Sequence, residues 1–339
     1  MDNYLKLCNN SEGNLFQYSK KEKLRISIIS AVYNRGKYLL RFLKSIQNQH
    51  FENIEIILID DYSTDNTVDL IKSYQSIDQR IILIQNRKNF GTFKSRNLGI
   101  LRSRGEYIII PDPDDIFSNN NLKVLYFNAI KYNYEIIRYN LYMGEKILYL
   151  GDILKNIKSR VVFQPELKTY SFYATGNLQY IDYNVADKFI KREVLIRALN
   201  LLKREYLNIH MISFEDQLLN FMTHITAKSF YFLKKICYYY IKNTDSISNK
   251  GIFEKNIEDI FIMLKIIFQL LRHTLIEKNI FNIIFQDFVI GNNYINKTEL
   301  MKNNSNFFLD SIDLFLKDNF ISNNTREYMN MLKQKLKSF

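Results

Sequence analysis

The chain has 339 residues, of which 47% are hydrophobic and 24% are charged, the composition of a globular protein with a sizeable core. Its formal net charge is +12, yet no dense basic run occurs, which excludes a nucleic-acid-binding tail and favours anionic substrates or anionic lipid surfaces. Because no stretch of about 20 apolar residues is present and the N-terminus is too polar for a signal peptide, we expect a cytoplasmic protein, with peripheral membrane contact left open.

Short apolar strands alternate with helices from residue 24 to residue 110, after a polar lead-in at residues 1–23. This alternation predicts an α/β fold in which βαβ units build a Rossmann-like, mostly parallel sheet flanked by helices. Right-handed crossovers then place the loops that follow the strands on one edge of the sheet. The predicted strands are Leu24–Ser30, Ile54–Ile59, Arg80–Gln85 and Tyr107–Ile110, and the predicted helices are Lys37–Gln47, Thr67–Tyr74 and Phe93–Ser103.

The second half of the chain has a less regular pattern. Residues 141–185 are irregular and aromatic, and Phe230–Tyr240 fits either a strand or a helix. From Phe253 onwards, apolar residues recur at the spacing of an amphipathic helix, which we expect to pack on the core rather than on a membrane. Further predicted helices are Leu122–Tyr132, Lys188–Tyr206, Asp216–Thr226 and Lys297–Phe339. The expected units are an α/β domain at 24–250, with halves at 24–130 and 131–250, and a helical C-terminal region at 251–339.

An acidic cluster follows the fourth predicted strand. Its members are Asp112, Asp114 and Asp115, in the sequence Pro-Asp-Pro-Asp-Asp. Open α/β sheets bind their ligands at the carboxyl ends of the strands, which is where these carboxylates lie. Since crowded like charges repel one another, the cluster predicts a hard divalent cation that carries a phosphorylated ligand. The alternative is a solvated acidic turn.

Four motifs occur in order along the predicted edge. They are Tyr33–Asn34 after strand one, Asp-Asp-x-Ser-x-Asp-x-Thr at residues 60–67, Arg-Asn-x-Gly at residues 96–99, and Gly-Glu-Tyr-Ile at residues 105–108 leading into the acidic cluster. Their order and spacing resemble the family 2 glycosyltransferases, which have the GT-A fold. The resemblance covers about residues 24–130, and four motifs in order are far more specific than a lone Asp-x-Asp.

The resemblance implies a metal-dependent transfer, with inversion, of a sugar from a nucleoside diphosphate donor, with UDP expected as the carrier. The acceptor would be a hydroxyl of a glycan or of a lipid-linked molecule. Asp112, Asp114 and Asp115 would hold Mn²⁺ or Mg²⁺ and the ribose, and the metal would stabilise charge on the departing diphosphate. Asp61 would accept a hydrogen bond from uracil, as the family's second loop aspartate does.

Three further donor-site residues each carry an alternative. Asp60 would bind the base as well or cap its own loop. Tyr33 would offer its ring to the nucleobase or cover the sheet edge. Arg96 would pair with phosphate or form a surface salt bridge.

Transfer to a hydroxyl also requires a general base on the acceptor side. Glu215 and Asp216 resemble the family's Glu-Asp motif at a helix start, with Asp216 as the base and Glu215 as its support. The alternative is two acids that stabilise the first turn of a helix. Lys242 follows a run of three tyrosines and is a candidate contact for the diphosphate.

Rival functions differ in what they require of the sequence. A sugar nucleotidyltransferase needs a glycine-rich loop after strand one, where this chain has Tyr33–Gly36. The intact Asp112, Asp114, Asp115 and Asp216 argue against a catalytically inactive nucleotide-sugar-binding protein. A membrane-surface adaptor would use the amphipathic helix that starts near Phe253.

Overall fold

In the first 132 residues, every predicted element lies within two residues of its predicted bounds, and the structure adds one short strand, at Ile116–Phe117, that was not predicted. The structure is a computed structural model, and it describes residues 24–143, 146–148, 161–163, 184–203, 205–241, 243, 257–272, 285, 305–319 and 321–338. In this half the strands are β1 (Ile26–Val32), β2 (Ile54–Asp60), β3 (Ile81–Gln85), β4 (Tyr107–Ile109) and the short β5 (Ile116–Phe117). The helices are α1 (Gly36–Gln47), α2 (Thr67–Gln75), α3 (Thr92–Arg102) and α4 (Asn121–Tyr132).

In the described part of the second half, five strands join the same sheet and helices lie beside it. Its strands are β6 (Ile136–Met143), β7 (Lys146–Leu148), β8 (Val161–Phe163), β9 (Lys188–Lys191) and β10 (Ser229–Tyr240). Its helices are α5 (Arg192–Asn200), a 3₁₀ turn at Tyr206–Asn208 and α6 (Glu215–Thr226), followed by α7 (Ile257–Arg272), α8 (Ser305–Leu316) and α9 (Asn323–Lys337) in the C-terminal region.

The sheet has the strand order β3-β2-β1-β4-β9-β6-β10-β5, with β7 on β6 and β8 on β10. The first four strands are all parallel, as the alternating pattern predicts. Strand β9 is antiparallel to both β4 and β6, so the sheet becomes mixed where its two halves meet. The α/β fold with a helical C-terminal region is therefore confirmed, and β6 and β10 in the second half are parallel as well.

Both faces of the sheet are buried, which explains why its first strands read as continuous apolar runs. Successive residues of a strand point to opposite faces, so Ile28 packs with α1 and α4 while Ile29 packs with α3, α5 and α6. The C-terminal helices join the second of these cores. The polar loops that follow β1 to β4 gather at the carboxyl ends of these strands.

One predicted helix is partly wrong. The sequence Lys188–Tyr206 has helical spacing, but its first four residues form β9, and α5 ends at Asn200. Lys188, Phe189 and Ile190 are all buried, and the Phe189 ring stacks on Tyr107 with centroids 4.8 Å apart. Pairing with β4 and β6 overrides the local preference here. The ambiguous Phe230–Tyr240 is a strand for the same reason, since it lies between β6 and β5.

The amphipathic helix α7 packs on the core, as expected. Its apolar positions Ile260, Leu264 and Ile267 are buried against α6 and the other C-terminal helices. In the described parts of the chain, no helix combines the length and the apolar character needed to cross a bilayer. The predicted lead-in at 1–23 and Lys242 lie outside the described residues, as does most of 141–185.

Candidate active site

The loops after β1 and β2 are joined by hydrogen bonds. The Asn34 side-chain oxygen accepts hydrogen bonds from the backbone N–H groups of Thr64, at 2.8 Å, and Asp65, at 3.3 Å. In the opposite direction, the backbone N–H of Asn34 donates to the Ser63 hydroxyl at 2.9 Å. The Tyr-Asn motif and the 60–67 loop therefore form one unit at the sheet edge. The Tyr33 ring next to them is 44% exposed, so its flat face is accessible, and its contact with a nucleobase stays a prediction.

Asp61 anchors the loop that follows β3. Its Oδ1 accepts hydrogen bonds from Asn86 Nδ2 at 2.7 Å and from the Phe90 backbone N–H at 2.8 Å, and its Oδ2 accepts one from the Gly91 N–H at 2.8 Å. Three donors satisfy this buried carboxylate within the chain. Its bond to uracil stays a prediction. Asp60 accepts hydrogen bonds from the Ser63 N–H at 3.2 and 3.3 Å, which is the loop-capping role that the sequence left open.

Arg96 bridges the acidic cluster and the candidate base. It lies on α3 with only 4% of its surface exposed. One guanidinium nitrogen, Nη2, donates to Asp112 Oδ1 at 2.7 Å, and the other, Nη1, donates to Glu215 Oε1 at 3.0 Å and to Asp216. The ion pair with Glu215 is buried and those with Asp112 and Asp216 are partly buried, so none is a simple surface salt bridge, and the phosphate contact of Arg96 stays a prediction. Its planar fork suits a role in which carboxylates approach from two directions.

Asp114 has its own set of partners. Its Oδ2 accepts a hydrogen bond from Asn243 Nδ2 at 2.8 Å and lies 3.5 Å from Arg35 Nε. Asn243 comes from the segment after β10, so both halves of the chain contribute to the acidic cluster. Arg35 and Asn243 were missed in the sequence. Arg35 directly follows the Tyr-Asn motif, and its position was the signal that could have identified it.

Asp115 holds the end of β10 against the acidic cluster. Its two oxygens accept hydrogen bonds from the Tyr238 hydroxyl at 2.7 Å and the Ile241 N–H at 2.8 Å. The Tyr238 oxygen also accepts one from the Asp112 N–H at 2.9 Å. Burial, reinforced by the charge of Asp112, raises the pKa of Asp115 to about 8. In the structure Asp115 therefore anchors the end of β10, and its role as a metal ligand stays a prediction.

Glu215 and Asp216 begin α6 in different environments. The preceding residue, Phe214, has a left-handed backbone with a φ of 63°, after which the helix starts and the acids stabilise its N-terminus. Burial raises the pKa of Glu215 to about 7, against the opposing effect of Arg96. The Asp216 side chain is more exposed than that of Glu215. Paired acids in unlike surroundings are the pattern of an acid–base site, with the open member facing substrate.

A metal would find two suitably placed carboxylates. Asp112 and Asp114 both lie at the open edge, and one third of the Asp112 side chain is exposed. Across the residues that the structure describes, His, Cys, Asp and Glu form no preformed set of three or more ligands. Mg²⁺ commonly uses one or two protein carboxylates and takes its remaining ligands from phosphates and water. The oxygen donors at this edge fit that mode of binding.

Comparison with known proteins agrees with the fold and identifies the family. Residues 27–195 match the profile of the family described as glycosyl transferase family 2. The chain is 25% identical over 236 residues to glycosyltransferase GlyG of Streptococcus pneumoniae, and the match covers 66% of this chain and 72% of that protein. It is 31% identical over 185 residues to the cholesterol galactosyltransferase of Borreliella burgdorferi, with 52% of this chain and 50% of that protein covered.

Solved structures share the fold. S. aureus TarS 1-349 in complex with UDP superposes with a TM-score of 0.67 at 20% identity, over 92% of this chain and 87% of that one. For the complex of TarS 1-349 with UDP-GlcNAc, the TM-score is 0.68 at 18% identity, over 92% and 89% of the two chains. These findings decide against a nucleotidyltransferase. The motifs, the fold and the sequence relatives agree that this chain is a GT-A glycosyltransferase and belongs to glycosyltransferase family 2.

Proposed function

We propose that the chain transfers a sugar, with inversion, from a UDP-linked donor to a hydroxyl of a glycan or a lipid-linked acceptor. The observation that carries this proposal is the bridge that Arg96 makes between Asp112, in the acidic cluster, and Glu215 and Asp216, at the candidate base. The bridge brings donor-side and acceptor-side carboxylates to the two terminal nitrogens of one guanidinium group. Structures of similar fold in complex with UDP and with UDP-GlcNAc support the class of donor.

The donor would lie across the carboxyl ends of β1 to β4. The exposed Tyr33 supplies a stacking face for the nucleobase. It lies close to Asp61, whose backbone N–H donates to the carbonyl of the neighbouring Val32. Asp112 and Asp114 would hold Mg²⁺ or Mn²⁺ together with the diphosphate oxygens. When bound, such an ion stabilises the negative charge that develops on the leaving UDP. Arg35 adds a positive charge close to Asp114, on the side where the diphosphate would enter.

Asp216 would act as the general base. The acceptor hydroxyl forms a bond to the anomeric carbon of the sugar while the bond from that carbon to the diphosphate oxygen breaks. The hydroxyl proton passes to a carboxylate oxygen of Asp216, and UDP leaves with the electron pair of the broken bond. Attack from the face opposite the leaving group inverts the anomeric centre. Arg96 orients Asp216, and the buried Glu215 holds Arg96 in place through an ion pair with the same guanidinium nitrogen.

The test separates donor binding from chemistry. The change Asp216→Asn keeps the shape of the side chain and removes its ability to take a proton. We expect kcat for UDP release from UDP-glucose, UDP-galactose or UDP-GlcNAc, supplied with a mixture of glycan and glycolipid acceptors, to fall by about 10²-fold to 10⁴-fold. Calorimetric titration with UDP should give an unchanged Kd, and removing Mn²⁺ with a chelator should weaken that binding.

Each part of the proposal can fail separately. Normal turnover by Asp216→Asn would show that Asp216 is not the general base. UDP binding that is equally tight with and without Mn²⁺ would contradict the proposed role of the metal in donor binding. UDP binding by a wild-type chain that turns over none of the donors would contradict the enzymatic function and favour a binding protein.

A further inference from the structure

The turn at residues 211–214 leads directly into the catalytic helix α6 and contacts the donor half of the protein. The Met211 carbonyl accepts a hydrogen bond from the Phe93 N–H at 3.1 Å, at the start of α3. Met211 also lies against Gly91, where an added Cβ would be 2.8 Å from the Met211 oxygen. Gly91 in turn donates its N–H to Asp61. The turn therefore connects the loop after β3 with the helix that carries Glu215 and Asp216.

A residue of the C-terminal region holds the other side of this turn. Asp259 lies in the first turn of α7, and its Oδ2 accepts hydrogen bonds from the backbone N–H groups of Ile212, at 3.1 Å, and Ser213, at 3.0 Å. The residue is only 8% exposed. Two backbone donors from consecutive residues thus converge on a single carboxylate oxygen. Without it they would lose their partner in a buried place, which proteins rarely tolerate.

The local backbone needs such support. Phe214 is a bulky residue in the left-handed region, a conformation that costs about 1–2 kcal/mol and persists only where the surroundings impose it. Its position is imposed on one side by the first turn of α6, where the Leu218 N–H donates to the Phe214 carbonyl at 3.1 Å. On the other side it is imposed by the bonds from Ile212 and Ser213 to Asp259. The direction in which α6 starts depends on both.

Asp259 also acts electrostatically on Glu215. Its burial raises its own pKa, while the two N–H groups act in the opposite direction and stabilise the carboxylate. Its negative charge is one of the influences that raise the pKa of Glu215. The carboxylate therefore lies close enough to affect Glu215 at the start of α6.

We propose that Asp259 is a positioning residue for catalysis, which fixes the 211–214 turn and through it the direction of the Asp216 carboxylate. The helical C-terminal region is then a working part of the active site. This inference depends on the proposed function, in which Asp216 is the base. A displacement of a catalytic group by about 1 Å can cost 10²-fold in rate. Loss of the two bonds should therefore affect the chemical step more than donor binding.

The test compares Asp259→Ala with Asp259→Asn in the full chain. Asparagine offers a carbonyl oxygen to the same two N–H groups without the charge, whereas alanine offers nothing. We expect Asp259→Ala to lower kcat for UDP release by about 10-fold to 100-fold, with the Kd for UDP within about 2-fold of wild type. Asp259→Asn should recover most of the lost rate. The readouts are steady-state kinetics and calorimetric titration with UDP.

A matched control lies on the same helix. Gln269 accepts a hydrogen bond from the Tyr206 hydroxyl at 3.0 Å, so it joins α7 to the α/β domain away from the 211–214 turn. Gln269→Ala should leave kcat unchanged. If Asp259→Ala does not fold, Asp259→Ser takes its place, because serine is too short to reach both N–H groups and carries the same expectation.

Three results would overturn the proposal. They are an unchanged kcat in Asp259→Ala, an equal loss of kcat in Gln269→Ala, and a loss of UDP affinity as large as the loss of rate. The experiment on Asp216→Asn is independent. If that variant retains transfer, the assignment of the base fails, whatever Asp259 does. If it is inactive and Asp259→Ala is fully active, only the positioning role fails.

Discussion

At the scale of single residues, the site balances its charges within the chain. Arg96 neutralises carboxylates on both the donor side and the acceptor side, and Arg35 lies beside Asp114. Burying several acids together is costly unless cations and hydrogen bonds compensate for the lost hydration. The consequence is that the acids of this site depend on one another, which mutagenesis can measure.

Removing the Arg96 guanidinium should destabilise the fold as well as stop catalysis. Arg96→Ala leaves the buried Glu215 without its counter-charge, so we expect the free energy of unfolding in urea to fall by about 3–5 kcal/mol. The double variant with Glu215→Gln should recover at least about 1 kcal/mol, because a neutral amide needs no cation. As a control, Arg80→Ala breaks an ion pair with Asp78 in a partly exposed turn and should cost less than about 1 kcal/mol. A double variant no more stable than Arg96→Ala would contradict this account.

Glu215 should give the transfer rate a dependence on pH near neutrality. Its pKa is raised to about 7, so below that pH it is neutral and leaves Arg96 to hold Asp216 and Asp112. As the pH rises through about 7, the ionised Glu215 forms a full ion pair with the guanidinium and fixes Arg96 in the position from which it orients Asp216. We therefore expect kcat to rise through pH 7. In Glu215→Gln this rise should vanish, and its persistence with the same midpoint would assign it to another group.

At the scale of elements, close approaches between segments set the geometry of the edge. Helix α3 begins beside Gly91, whose φ of 85° is open to glycine and strained for other residues. The same glycine lies against the backbone of Met211, in the turn before α6. A loop of the donor half and a turn of the acceptor half are thus in backbone contact, with no room for a side chain.

Gly91→Ala tests this contact. The new methyl group would lie 2.8 Å from the Met211 carbonyl oxygen and the backbone would be strained, so the two segments must move apart. We expect the free energy of unfolding to fall by about 1–3 kcal/mol, measured by urea denaturation, and kcat to fall with it. Lys88→Ala, an exposed position in the same loop, is the control and should remain within about 0.5 kcal/mol of wild type. Equal stability of the two variants would show that the loop adjusts freely.

The elements also show where sequence reasoning succeeds and fails. Strands β1 to β4 were predicted because each is a short apolar run between turn signals, and burial on both faces agrees with that pattern. The strand β9 was predicted as a helix because four residues carry too little periodicity to separate the two. Its conformation is decided by β4 and β6, which are distant in the sequence.

At the scale of the whole molecule, the site is built from segments far apart in the chain. The acidic residues were located correctly at one sheet edge, because residue type and strand end are local properties. The bond from Arg96 to Glu215 spans 119 residues, and those from Asp259 to the 211–214 turn span 46 and 47. No local pattern encodes such partners, so the bridging role of Arg96 and the contribution of the C-terminal region became visible only in the folded chain.

The position of β9 between the two halves of the sheet affects how the chain can be made. A ribosome synthesises a protein from its N-terminus. The edge of β4 that pairs with β9 can therefore form its hydrogen bonds only after residues 188–191 have left the ribosome. Until then a growing chain exposes an unpaired apolar strand, the kind of edge on which nascent proteins aggregate or recruit chaperones. Expression in heterologous hosts should therefore be most sensitive to the speed of translation over the stretch between these two strands.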